Sequence, residues 1–105
     1  MQAVIRTGII GFGMAGKVFH APFISTLPGF LLSKISTSRE EAAAEARALY
    51  PDTEVVRDAG SILQDAAIDL VIICTPNAEH LPLAKAALHA GKHVIVEKPF
   101  TVTSA

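Results

Sequence analysis

Several things are scarce in this 105-residue chain, and each scarcity excludes something. Cysteine occurs once, as Cys74, so neither an internal disulfide framework nor a cysteine metal cluster can form. Cys74 lies inside the apolar run LVIICT, where a free thiol reads as an inert core residue. Charged residues make up 18% of the chain and the formal net charge is −1. That leaves no basic excess to hold nucleic acid or an anionic membrane surface. No apolar run approaches the roughly 20 residues of a membrane-spanning helix. Arg6 interrupts MQAVIRTGII where a secretory signal would have to be apolar. A reducing, cytoplasmic setting is the resulting expectation. No Ser, His and Asp are arranged for nucleophilic hydrolysis.

What is present is apolar and regularly interrupted. Half of the residues are hydrophobic, enough for the core of one domain over residues 1–105. AVIRTGIIG, FLLSKIS, EVV, DLVIICT and KHVIVE read as strands. DLVIICT is apolar on both faces, as in a parallel sheet covered by helices on both sides. Between the strands lie GKVFHAPFISTL, SREEAAAEARALY, SILQD and HLPLAKAALHA, which read as helices. In the second, Ser38 and Glu41 have the spacing of a capping box, and Pro51 stops the helix. The last is expected to begin close to His80, because Pro82 belongs in a first turn. It should bury Leu81, Ala84, Ala87 and Leu88 and end at Gly91. Strand and helix in alternation predict right-handed crossovers and a doubly wound α/β domain.

The stretch GFGMAG, with Gly11, Gly13 and Gly16, fits G-x-G-x-x-G between the first strand and the first helix. At a dinucleotide pyrophosphate the first glycine permits the turn, the second admits the phosphates and the third lets helix and strand pack closely. The helix N-terminus adds free N–H groups and the positive end of its dipole. Phe12, Met14 and Ala15 fill the loop. The same glycines would also serve a turn with no ligand. The strand before them and the helix after them favour the cradle, and with it a Rossmann-type fold of about five strands.

Selectivity is read at the tip of the second strand. An NAD site places Asp or Glu there, roughly 20 residues beyond the glycine loop, to take the ribose hydroxyls. This chain has Ser36, Thr37, Ser38 and Arg39, with no acid before Glu40. Hydroxyls and a guanidinium suit a 2′-phosphate, so NADP is favoured over NAD. The plainer alternative makes Ser38 a helix cap and Arg39 a solvated surface residue.

Two further stretches, CTPNAEHLPLAKAALHAGKHV and VEKPFTVT, complete the pattern. Together with the glycine loop they resemble the N-terminal domain of the Gfo/Idh/MocA oxidoreductases, from Val4 to Thr103, and Glu97-Lys98-Pro99 is the most specific motif. The resemblance implies that Thr75, Pro76 and Asn77 line the nicotinamide half of the cleft, with His80 near them. It implies that Lys98 reaches the nicotinamide ribose and the substrate hydroxyl as the catalytic residue. Glu97 would help hold the cofactor, and the Lys98–Pro99 peptide would be cis. A lysine can serve as acid or base where burial lowers its pKa from ~10.4 towards ~7–8. Otherwise Lys98 is a surface residue before a turn, and His80 a capping residue. His20 is a further candidate for the substrate side, whereas His89 and His93 read as structural or solvated.

The implied activity is hydride transfer between a nicotinamide and a hydroxyl-bearing carbon of a sugar, polyol or related alcohol. The resemblance implies a second domain that shapes the substrate pocket, and residues 1–105 are expected to be the dinucleotide domain alone, without its last helix and sixth strand. Weak cofactor binding, little turnover and self-association through the incomplete sheet edge are therefore expected. Two other classes remain: a non-catalytic NAD(P)-sensing module and an S-adenosylmethionine-dependent transferase, the latter leaving EKPF unexplained.

Overall fold

A computed structural model describes residues 4–12, 21–75 and 77–96, the side chains of 77–80 excepted. Five strands form one parallel sheet: β1 (Ile5–Ile10), β2 (Phe30–Ser36), β3 (Glu54–Val56), β4 (Leu70–Ile73) and β5 (His93–Val96). The helices between them are α1 (Ala21–Thr26), α2 (Glu40–Leu49), α3 (Gly60–Leu63) and α4 (Asn77–His89). Their spatial order is β3-β2-β1-β4-β5, so the chain runs outward one way, returns, and continues the other way from β1. This is the doubly wound, Rossmann-type sheet expected from the alternation.

Strand alternation divides the core. On one face Ile9, Leu32, Ile35, Leu70 and Ile72 meet Ala21 and Ile24 of α1 and Ala42 and Ala46 of α2. On the other, Ile10, Val71 and Ile73 meet Ile62 of α3 and Ala87 of α4. All four residues of β4 are buried, because successive side chains feed opposite clusters. The alanines of α2 and α4 bring helix backbone close to the sheet.

Gly91 is placed by its backbone. Lys92 N–H donates to the Ala87 carbonyl and Gly91 N–H to the Leu88 carbonyl, both at 3.0 Å. That Schellman pair requires a left-handed residue, and Gly91 has φ +79°.

Several expectations need correction. The capping box does not form. Arg39 is the N-cap of α2, its carbonyl accepting Ala43 N–H at 2.9 Å, and no side chain caps the end. Thr37 Oγ1 accepts Arg39 N–H at 3.3 Å, a local turn that moves the helix start one residue past Ser38. Helix α4 starts at Asn77 rather than near His80, and Pro82 lies inside it on the exposed side. Leu81 and Leu88 are solvent-exposed; the buried face is Leu83, Ala84 and Ala87. Small residues there let α4 approach β4 and β5, which turns Leu81 and Leu88 outward. Cys74 follows β4 and is half-buried against the first cluster rather than inside it. No helix among the described residues is long and apolar enough to cross a membrane.

Candidate functional site

In an open parallel sheet, ligands collect outside the carboxyl ends of the strands, where the strand order reverses. Here the reversal falls between β1 and β4, whose neighbours continue the chain in opposite directions. Gly11 stands at that point. Its N–H donates to the Ser36 carbonyl at 2.8 Å, fastening the end of β1 to the end of β2. Cys74 N–H donates to the Ile10 carbonyl at 2.8 Å, fastening β4 on the other side. A Cβ on Gly11 would lie 3.0 Å from Thr75 Cγ2 and 3.2 Å from the Cys74 carbonyl, and φ is +93°. Glycine is thus required by the close approach of two strand ends as well as by the turn.

Phe12 continues from Gly11, but its ring is buried and meets Tyr50 edge to face, with centroids 6.5 Å apart. Only its backbone is left to face a ligand. Burial pushes the Tyr50 phenol above its ordinary range. The remaining loop residues Gly13, Met14, Ala15 and Gly16 lie outside the described residues, as does His20.

The tip of β2 divides by depth. Ser36 and Thr37 are buried, and Thr37 N–H donates to the Val56 carbonyl at 3.0 Å. Ser38 and Arg39 are exposed on the rim. The exposed Ser38 hydroxyl and Arg39 guanidinium, with no acid before Glu40, are groups that fit a phosphorylated ribose. Thr75 lies half-buried beside Gly11, and Asn77 opens α4, with His80 in its first turn. Gly11, Ser36, Thr37, Ser38, Arg39 and Thr75 therefore occupy one rim. Pro76, Glu97 and Lys98, and with them the Lys98–Pro99 peptide, lie outside the described residues. His89 and His93 are exposed, away from this rim.

Sequence reasoning missed one rim residue. Arg57 follows β3 and pairs with Glu40, the first residue of α2. The signal was available: an arginine directly after a strand of a parallel sheet sits at the ligand-binding edge. The opposite rim holds an open cavity of about 460 Å³ between the amino ends of the strands, lined in part by Ile5, Ile68, Asp69, Lys92 and His93. There Lys92 Nζ is occupied by the Asp65 and Ile68 carbonyls, at 2.6 and 2.8 Å. The cavity lies at the amino ends, opposite the switch-point rim.

Comparison with known proteins identifies the family. Residues 5–105 match the model of an oxidoreductase family with an NAD-binding Rossmann fold, Gfo/Idh/MocA. The chain is 52% identical over 103 residues to the uncharacterized oxidoreductase YdgJ of Escherichia coli K12, covering 98% of this chain and 29% of that protein. It is 45% identical over 100 residues to the scyllo-inositol 2-dehydrogenase (NADP(+)) IolW of Bacillus subtilis, covering 95% and 27%. The crystal structure of scyllo-inositol dehydrogenase from Lactobacillus casei with bound NAD(H) and scyllo-inositol superposes with a TM-score of 0.82 at 35% identity, covering 95% and 29%. The chain thus spans less than a third of the length of these relatives. It belongs to the Gfo/Idh/MocA oxidoreductase family, to the NAD-binding Rossmann domain of that family.

Proposed function

We propose that this chain forms the cofactor half of an oxidoreductase that moves hydride between NADP and a hydroxyl-bearing carbon of a sugar, polyol or related alcohol. One observation carries the reading: Gly11, the Ser36–Arg39 tip and Thr75 converge at the switch point of the sheet. The exposed Arg39 and the lack of an acid before Glu40 support NADP over NAD. The relatives divide on this point, one named for NADP(+) and one holding NAD(H).

The nicotinamide supplies the hydride chemistry, and the protein orients it. In this reading the glycine loop receives the pyrophosphate, while Ser38 and Arg39 take the 2′-phosphate. Thr75, Pro76, Asn77 and His80 border the nicotinamide, and Glu97 steadies it. Lys98 Nζ accepts the substrate hydroxyl proton during oxidation and returns it during reduction. The described residues form only the cofactor side of a pocket. Turnover by this chain alone is therefore expected to be slight, since catalysis needs the reacting carbon held at about 3–3.5 Å with water excluded.

Parallel calorimetric titration with NADPH, NADH and S-adenosylmethionine tests the reading. The expected result is tighter binding of NADPH than NADH, with the difference reduced by Arg39→Ala. Equal binding of the two nicotinamides would remove the selectivity argument and keep the cradle. Binding of S-adenosylmethionine alone, or robust turnover of a polyol by this chain, would contradict the proposal.

A further inference from the structure

The first acid beyond the tip of β2 is Glu40, at the start of α2. A carboxylate near this tip accepts ribose hydroxyls in a site for an unphosphorylated ribose, and it repels a 2′-phosphate. Here that carboxylate is engaged, its Oε1 accepting from Arg57 Nη2. Arg57 directly follows Val56, and the Val56 carbonyl accepts Thr37 N–H at 3.0 Å. The bond ties the tips of β2 and β3 together, so Arg57 reaches the same rim as Ser38 and Arg39. The side chains of the pair are 71% and 72% exposed. An ion pair so open to water contributes little to folding, so its interest lies in where it holds the Glu40 carboxylate. Arg57 supplies the cation that offsets Glu40, on a rim that also carries the exposed Glu41 and Asp58. Without it, the Glu40 carboxylate would lose its ion-pair partner.

We infer that Arg57 determines dinucleotide choice as a positioning residue: it holds the Glu40 carboxylate away from an unphosphorylated ribose and neutralises it for an incoming 2′-phosphate. The inference rests on the NADP reading above and extends it to a residue on a different strand.

The test uses probes of the adenosine end alone. Adenosine 2′,5′-bisphosphate and adenosine 5′-monophosphate are titrated by NMR into the wild-type chain, Arg57→Ala, Glu40→Gln and the double variant. Wild type should prefer the bisphosphate. Arg57→Ala should weaken bisphosphate binding roughly fivefold and change monophosphate binding less than about twofold. Adding Glu40→Gln to Arg57→Ala should restore most of the loss, which a merely structural role for Arg57 would not produce. An unchanged preference in Arg57→Ala, equal loss of both probes, or no recovery in the double variant would overturn the inference and leave the NADP reading standing. Equal binding of the probes by wild type, or binding of neither, would overturn both.

Discussion

Gly8 shows how a single missing side chain governs packing. It lies in β1 next to an irregularity in the pairing with β2, where Thr7 faces Leu32 but Gly8 faces Lys34. A Cβ at this position would sit 2.6 Å from Ile62 Cγ2 and 3.3 Å from Ile68 Cδ1, and Ile62 is fully buried. Gly8→Ala must therefore displace α3 from the sheet, at a cost of about 1–3 kcal/mol. Urea unfolding should show a lower midpoint, and an unchanged one would contradict the packing described. In the sequence Gly8 is only a glycine inside a strand pattern, because Ile62 comes from a distant part of the chain. The turn at Gly11 was legible because it is local, whereas the approach of Cys74 and Thr75 to it was not. The hydroxyls and Arg39 at the tip of β2 were legible for the same reason. Arg57 needed the β2–β3 register before its neighbourhood with Glu40 could be seen.

At the scale of elements, the strands were read well because β-branched runs flanked by turn residues carry their own signal. Helix orientation was not, since rotation about the axis of α4 is decided by which side chains let it approach the sheet. Ala84 and Ala87 do so, and Leu81 and Leu88 face water. The short α3 and its exit to β4 are held by polar contacts with no sequence signature. Asp65 Oδ1 accepts Ala67 N–H at 2.9 Å, and Oδ2 pairs with Lys34 Nζ at 3.1 Å. The Ala67 N–H first, and then Lys34, keep the Asp65 carboxyl below its ordinary value of 3.8. A carboxyl depressed in the folded state adds stability above its unfolded pKa, and that contribution disappears as pH falls through the folded value. Asp65→Asn should therefore lose about 0.5–1.5 kcal/mol near neutral pH. The difference from wild type should shrink as pH falls below the ordinary value of 3.8, with urea midpoints at several pH values as the measurement. A deficit independent of pH would assign the loss to packing rather than to the charge.

For the molecule as a whole, the sheet has two rims, and they differ in what they offer a dinucleotide. The carboxyl-end rim carries Gly11, Thr37, Arg39 and Thr75, while the amino-end rim carries the open cavity beside Ile68, Lys92 and His93. Family membership follows from the chain-wide match, and the rim follows from the strand order. The most direct test is a map of backbone amide shifts as NADPH is added to the isotope-labelled chain. Shifts concentrated at Gly11, Phe12, Thr37, Ser38, Arg39 and Thr75, with Ile68, Lys92 and His93 unmoved, are the predicted result. Shifts confined to the amino-end rim, or none at saturating NADPH, would contradict the assignment of the dinucleotide site.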